Sequence, residues 1–475
     1  MPRPLLVRYA GLAGSLLLAA AAWSGGATDP WEPNVTPGTI FAGENGVLLP
    51  VSWLLGTLLL IGAWWAGRRD VPSLRWAYVT AAIWAVPLLP FLPLASYDVY
   101  SYACQGWQQS AGLDPYSGGL DLLGCPWADA VAPTWRQTPA PYGPVFLVLA
   151  ALAAKLGDLF PGGGLTGTVA LLRLIAVCGV VVIGFCLPVL ARRAGVPPQR
   201  AVWLVLACPL VPIHLISGAH NDAVMVALLV AGLTVASRAT AWPRMIAAGV
   251  LLGLAVGVKA TAVVVLPFAV LLLPLRWWRS ALVLGSGALA ALAAVSLGAG
   301  LGLGWVTSLS GSGVSVQWTS PPTAVGLTLE LFGVPSAVPA TRVIGMIVLA
   351  VVLVMLWLRA FSASGADPVH FAGLALAATV LLAPVFHPWY ALWPLAVLAA
   401  TVRRETLWLV APCAVAAALC LPDGYNLALV TKAQGAVVMT VLAGCLAWKV
   451  LNEANRHSLR PRVDHGGGDR PHRAP

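Results

Sequence analysis

Four groups of polar residues interrupt an otherwise apolar chain. Asp98 lies within Ser96-Tyr-Asp-Val-Tyr-Ser-Tyr102; His220, Asn221 and Asp222 are consecutive; Lys259 falls in Gly257-Val-Lys-Ala-Thr261; and His387 opens His387-Pro-Trp-Tyr390. Asp98 follows the apolar run 76–93 and opens the longest polar segment, residues 94–143. A carboxylate at such a boundary is half shielded from water, which raises its pKa and suits it to act as a base. Two carboxylates, a lysine and a histidine at one face fit glycosyl transfer from a sugar carried on a lipid phosphate. The acceptor hydroxyl needs a general base, the role open to Asp98. The departing phosphate needs positive charge, which Lys259, His387 and Arg342 can supply. Tyr97, Tyr100, Trp318 and Trp389 offer aromatic faces to a sugar ring, and His220, Asn221 and Asp222 can orient substrate. The chain has no Asp-x-Asp pair, and a monophosphate can be met by Lys and His, so no obligatory metal and no other cofactor is expected.

Each of these residues has a plainer reading. Asp98 or Asp222 can cap a helix, where the dipole favours a carboxylate. Lys259 and Arg342 can snorkel to water, and His387, ahead of Pro388, can bond to backbone in a loop. Their convergence on one face favours function, because ionisable groups at membrane depth usually mark it.

The elements that must position these residues are membrane helices. The 475-residue chain is 59 % hydrophobic and 9 % charged, whereas soluble domains carry about a quarter charged residues. Repeated apolar runs match a ~30 Å hydrocarbon layer, and the period-2 pattern of a barrel is missing. An all-α polytopic membrane protein follows. The apolar runs predict fourteen spans: 5–23, 48–66, 76–93, 168–190, 201–217, 222–237, 244–257, 260–275, 280–304, 338–360, 370–386, 389–401, 406–421 and 434–450. Residues 144–159 read as an interfacial helix, and residues 453–475 as a disordered cytoplasmic tail following a membrane domain 1–452.

The net charge of +10 does not point to nucleic acid. Of 27 Lys and Arg, all but Arg136, Lys155, Arg173, Lys259, Arg342 and Lys432 fall on one set of loops and the termini. That asymmetry predicts both termini cytoplasmic and the four polar groups outside, in a multi-pass plasma-membrane protein. Cys104 and Cys125 then share an outer, oxidising loop. A disulfide between them would close about twenty residues and stabilise the fold by roughly 3 kcal/mol.

Taken in order, Ser96-Tyr-Asp-Val-Tyr-Ser-Tyr102, Gly112-Leu-Asp-Pro-Tyr116, Pro141-Tyr-Gly-Pro144, Gly218-Ala-His-Asn-Asp222, Gln317-Trp-Thr-Ser-Pro-Pro322 and His387-Pro-Trp-Tyr390 resemble the actinobacterial polyprenol-phosphomannose-dependent α-1,6-mannosyltransferases, over roughly residues 45–450. The resemblance implies a GT-C glycosyltransferase bundle of about 13–14 transmembrane helices with outer interfacial helices. It also implies inverting transfer of mannose from β-linked polyprenyl-phosphomannose to an α-1,6-mannan or phosphatidylinositol-mannoside-type acceptor. The family's catalytic carboxylate, in the first large outer loop, maps onto Asp98. Segments 94–166 and 305–337 would then cap the cavity, and the first two spans would be an addition to the common core. Arabinofuranosyl transfer from another lipid phosphate is an alternative. A transporter is a further one, which inverted repeats and midplane charges would mark.

Overall fold

The computed structural model describes residues 3–458 apart from 33–34, 43–45, 161, 310–312, 314 and 405–406. Among these residues the fold is helical, with one isolated bridge, between Cys420 and Asn426. Five helices are long and apolar enough to cross a membrane: Arg3–Gly25, Leu48–Gly67, Gly164–Ala194, Trp277–Gly298 and Ala337–Ser362. A sixth candidate is the pair Pro198–Leu206 and Val211–Ser217, bent by 63°.

Several expected spans are shorter or broken, and proline is the common cause, since it removes a helical N–H and clashes with the preceding turn. The run 76–93 is helical over Leu74–Ala85 and a short turn Val86–Leu88, then yields to Pro87, Pro90 and Pro93. The run 201–217 bends where Pro209 and Pro212 fall. The run 260–275 becomes a tight turn Ala260–Val265 followed by Leu266–Val270. At the other end, the helix Lys432–Ser458 runs into the tail expected to be disordered from 453; residues 459–475 lie outside the described set.

The segment after the third expected span folds into its own layer. The Asp98–Ser110 helix packs on Pro144–Gly157, and that helix packs on Gly164–Ala194. Contact with Pro144–Gly157 is close enough to require Gly106, where a Cβ would lie 2.3 Å from the Ala150 carbonyl oxygen. The Pro144–Gly157 helix therefore braces the Asp98 helix from behind and is buried along one side. Cys104 and Cys125 are joined by a disulfide with Cα atoms 5.5 Å apart.

The first two helices pack tightly, Gly14 facing the backbone of Gly56 and Leu60. The chain leaving the first helix is tied to the Asp98 segment. Tyr100 Oη donates to the Ala27 carbonyl at 2.7 Å, and Thr28 N–H donates to Tyr97 Oη at 3.2 Å.

Candidate active site

Asp98 begins its helix, with Ser96 Oγ accepting its backbone N–H at 3.1 Å. This N-terminal placement lets the helix dipole favour the carboxylate, while the surroundings oppose it. The side chain is only 14 % exposed. Burial, partly offset by the Lys259 charge and reinforced by Asp222, raises its pKa from 3.8 to about 6. That is the range in which a carboxylate accepts a proton near neutral pH and can later release it.

The loop after the bent helix pair brings the second group to this carboxylate. His220 Nδ1 lies 3.7 Å from Asp98 Oδ2 and 3.2 Å from Tyr102 Oη. His220 is fully buried, and desolvation, with His214 and Lys259 nearby, holds it neutral. Its ring stacks on Trp389 at 3.8 Å between centroids. Trp389 also carries His387 at 4.9 Å with planes 3° apart. Burial, reinforced by the Lys259 charge, lowers the His387 pKa to about 3. His387 therefore enters the site as a neutral hydrogen-bonding group rather than as a cation.

Lys259 and Asp222 form one unit. Lys259 Nζ donates to both carboxylate oxygens, at 2.9 and 3.1 Å, and Trp393 Nε1 donates to Oδ1 at 2.6 Å. The ammonium also lies 4.3 Å from the Tyr390 ring centre and 5.0 Å from that of Trp393. Pro141-Tyr-Gly-Pro144 holds this corner in place. Gly143 N–H donates to the Val258 carbonyl at 3.1 Å, and a Cβ on Gly143 would fall 2.2 Å from the Gly257 oxygen. Tyr142 is thereby set edge-on to Tyr102 at 5.2 Å.

Asp98, Tyr97, His387 and Trp389 line a cavity of about 550 Å³. Its walls include Trp31 from the chain after the first helix, Trp135 from the polar segment, Gln317, and Asp423 and Asn426 near the C-terminus. The expected cap of 94–166 and 305–337 is thus only part of the wall. The Pro144–Gly157 helix packs behind the Asp98 helix and does not line the cavity, and two unforeseen segments complete the wall. Asp423 accepts N–H donors from Val35 at 3.0 Å and Tyr425 at 3.1 Å, while burial lifts its pKa to about 6. Gln317 faces the cavity and accepts from Asn426 Nδ2 at 2.9 Å.

The remaining candidates stand apart from this cluster. Arg342 gives its guanidinium to Thr323 Oγ1 at 3.0 Å and to the carbonyls of Gly313 and Ser315 at 2.9 and 2.6 Å, holding the strand of chain that leads to Gln317. Trp318 Nε1 donates to Thr431 Oγ1 at 3.2 Å, with its ring against Gly435. Tyr100 turns to the opposite side of its helix and lines a different cavity. Among residues not singled out from sequence, His214 is fully buried beside Trp389 at 5.3 Å, with neither ring nitrogen hydrogen bonded. Its place within the apolar run 201–217 was the available signal, as was the polar run Asp423-Gly-Tyr-Asn426 after an apolar stretch.

Residues 8–275 match the family described as alpha-(1->6)-mannopyranosyltransferase, N-terminal domain, and residues 322–451 match the MptB C-terminal domain. The chain is 33 % identical over 417 residues to the alpha-(1->6)-mannopyranosyltransferase A of Mycobacterium tuberculosis, covering 82 % of this chain and 79 % of that protein. The chain belongs to the alpha-(1->6)-mannopyranosyltransferase family. It is 29 % identical over 449 residues to the alpha-(1->6)-mannopyranosyltransferase B of Corynebacterium glutamicum, covering 84 % of this chain and 73 % of the relative. A probable alpha-(1->6)-mannopyranosyltransferase of Mycolicibacterium smegmatis shares 31 % over 405 residues, covering 76 % and 70 %. This mannosyltransferase carries Asp98, His220 and the Lys259–Asp222 unit within residues 8–275 and His387 within residues 322–451, the two stretches that match the family.

Proposed function

We propose that this chain transfers mannose from polyprenyl-phosphomannose to an α-1,6-mannan acceptor of the lipomannan type, at the outer face of the plasma membrane. Asp98 takes the proton of the attacking acceptor hydroxyl. The acceptor oxygen forms its bond to C1 of mannose as the bond from C1 to the phosphate oxygen breaks, inverting the β-linkage to α. The electron pair leaves with the lipid monophosphate, which meets the Lys259 ammonium and a His387 N–H, and the reaction needs no divalent metal. Asp222 keeps Lys259 oriented, and Trp31, Trp135 and Trp389 offer faces to the sugars in the cavity. Arg342 acts on the wall leading to Gln317 and supports the phosphate site only indirectly.

The single observation behind this assignment is a largely buried carboxylate, its pKa near 6, opening onto an aromatic-lined cavity and lying close to the Lys259–Asp222 unit. A base in an aromatic-lined cleft suits hydroxyl activation. The asymmetry of basic residues supports placing that cavity outside and both termini in the cytoplasm.

Membranes given radiolabelled polyprenyl-phosphomannose and short α-1,6-mannosides should extend the acceptor. Asp98→Asn should lose activity by at least about a hundredfold, the scale of general base loss, while still being inserted and binding donor. Extension by GDP-mannose with a divalent metal, in membranes unable to make the lipid donor, would overturn the donor assignment. Wild-type rates from Asp98→Asn would overturn the mechanism.

A further inference from the structure

A second cavity of about 750 Å³ lies on the other side of the Asp98–Ser110 helix, lined by Tyr100, Arg173, Asp29 and the chain from Leu89 to Pro93. It shares Leu89 and Val177 with a neighbouring apolar cavity of about 390 Å³ along the same face of the Gly164–Ala194 helix. Leu89, Leu174 and Phe185 are exposed there, so the groove opens on the apolar flank of the bundle. No lining residue is common to this groove and the cavity of Asp98.

Arg173, 8 % exposed, is built into the floor. Its Nε donates to the Ser217 carbonyl at 3.0 Å and its Nη1 to the Leu89 carbonyl at 2.8 Å, while the buried Nη2 has no partner. Among the described residues it forms no ion pair with a carboxylate. A guanidinium at membrane depth is costly unless it meets an anion, and a phosphate oxygen is the partner its fork fits. Asp29, exposed at the same cavity, adds one negative charge. A lipid monophosphate or an anionic phospholipid would satisfy Arg173 but bring like charge toward Asp29. A headgroup with a phosphate followed by an ammonium satisfies both.

We infer that this groove binds a zwitterionic phospholipid of the bilayer, its phosphate on Arg173, its ammonium toward Asp29 and an acyl chain along Leu89 and Val177. The lipid is not the mannosyl donor, and the inference stands independently of the donor assignment. Its effect on the enzyme follows from Arg173. The Ser217 it holds precedes His220 by three residues, and Ser217 Oγ accepts the N–H of Leu94, four residues before Asp98. A filled groove therefore stiffens both approaches to the site.

The full-length protein in neutral detergent can be offered phosphatidylethanolamine, phosphatidylglycerol and a polyprenyl monophosphate at equal concentration, with bound lipid read by native mass spectrometry. Wild type should retain phosphatidylethanolamine at least about fivefold over the others. Ala170→Trp, which fills the groove from an exposed small residue, should lose it. Asp29→Asn should retain phosphatidylethanolamine and phosphatidylglycerol equally. Arg173→Gln should also lose lipid, but because it gives up two structural hydrogen bonds the exposed-site variants decide. Equal retention by wild type and Ala170→Trp, or preference of wild type for either anionic lipid, would overturn the inference.

Discussion

Asp98 and Asp423 border one cavity and are both pushed to about 6 by burial, so a pH profile by itself cannot tell which one acts. A base must be ionised, so turnover should rise with pH through about 6 and level off above it. Asp423→Asn should keep that acid limb, whereas Asp98→Asn should abolish turnover across the range, and rates of both variants between pH 4.5 and 8 check this. The same burial sets a stability trend with the opposite sign. A carboxylate raised above its ordinary 3.8 binds its proton more tightly when folded, so its contribution is full below 3.8 and fades as pH rises to about 6. The Lys259–Asp222 unit makes a second prediction at this scale. Removing one member of a buried ion pair costs about 3–5 kcal/mol, while removing both for apolar groups costs far less. Lys259→Met should lower the thermal midpoint sharply and Asp222→Leu/Lys259→Met should regain most of it, with both inactive.

The element that positions Asp98 is the Asp98–Ser110 helix, and its seat on Pro144–Gly157 is set by Gly106. Adding a methyl there would meet the Ala150 backbone rather than a movable side chain, and overpacking of this kind costs about 1–3 kcal/mol. Gly106→Ala should lower thermal stability and, by tilting the helix, lower kcat more than it raises KM. The disulfide fixes the following loop at a sequence separation of 21. Replacing Cys104 and Cys125 together with serine should cost about 3 kcal/mol on loop-closure grounds, measured as a lower midpoint without loss of helix content.

Across the whole molecule, the cavity of Asp98 is closed by segments from both ends of the chain. Trp31 follows the first helix, and Asp423 and Asn426 precede the last. The chain between the first two helices, which the resemblance cast as an addition to a common core, reaches the cavity through Trp31, which meets Tyr97 edge-on. Trp31→Ala should raise KM for the mannoside several-fold, on the scale of about 1 kcal/mol for a lost aromatic face, with kcat little changed; steady-state kinetics on truncated acceptors check it.

The helical class and the candidate polar residues follow from local costs. Apolar runs of membrane length specify helices, because lipid leaves backbone groups no other partner. Charges placed at the ends of those runs had to be functional or paired, which is why Asp98, His220, Asp222, Lys259 and His387 were all legible and do share one region. Which of them meet is set by the packing of segments far apart in the chain. Lys259 is bonded to Asp222, His387 is held neutral, and Arg342 serves the wall of the cavity. Asp423 becomes a neighbour of Asp98 through the contact of Ala95 N–H with the Pro422 carbonyl at 2.8 Å. Apolar helices of similar hydropathy can pack in many orders, and prolines break them at points that hydropathy does not register. The identity of a partner hundreds of residues away is therefore set by close packing, at places such as Gly106 and Gly143, and by the desolvation that packing imposes.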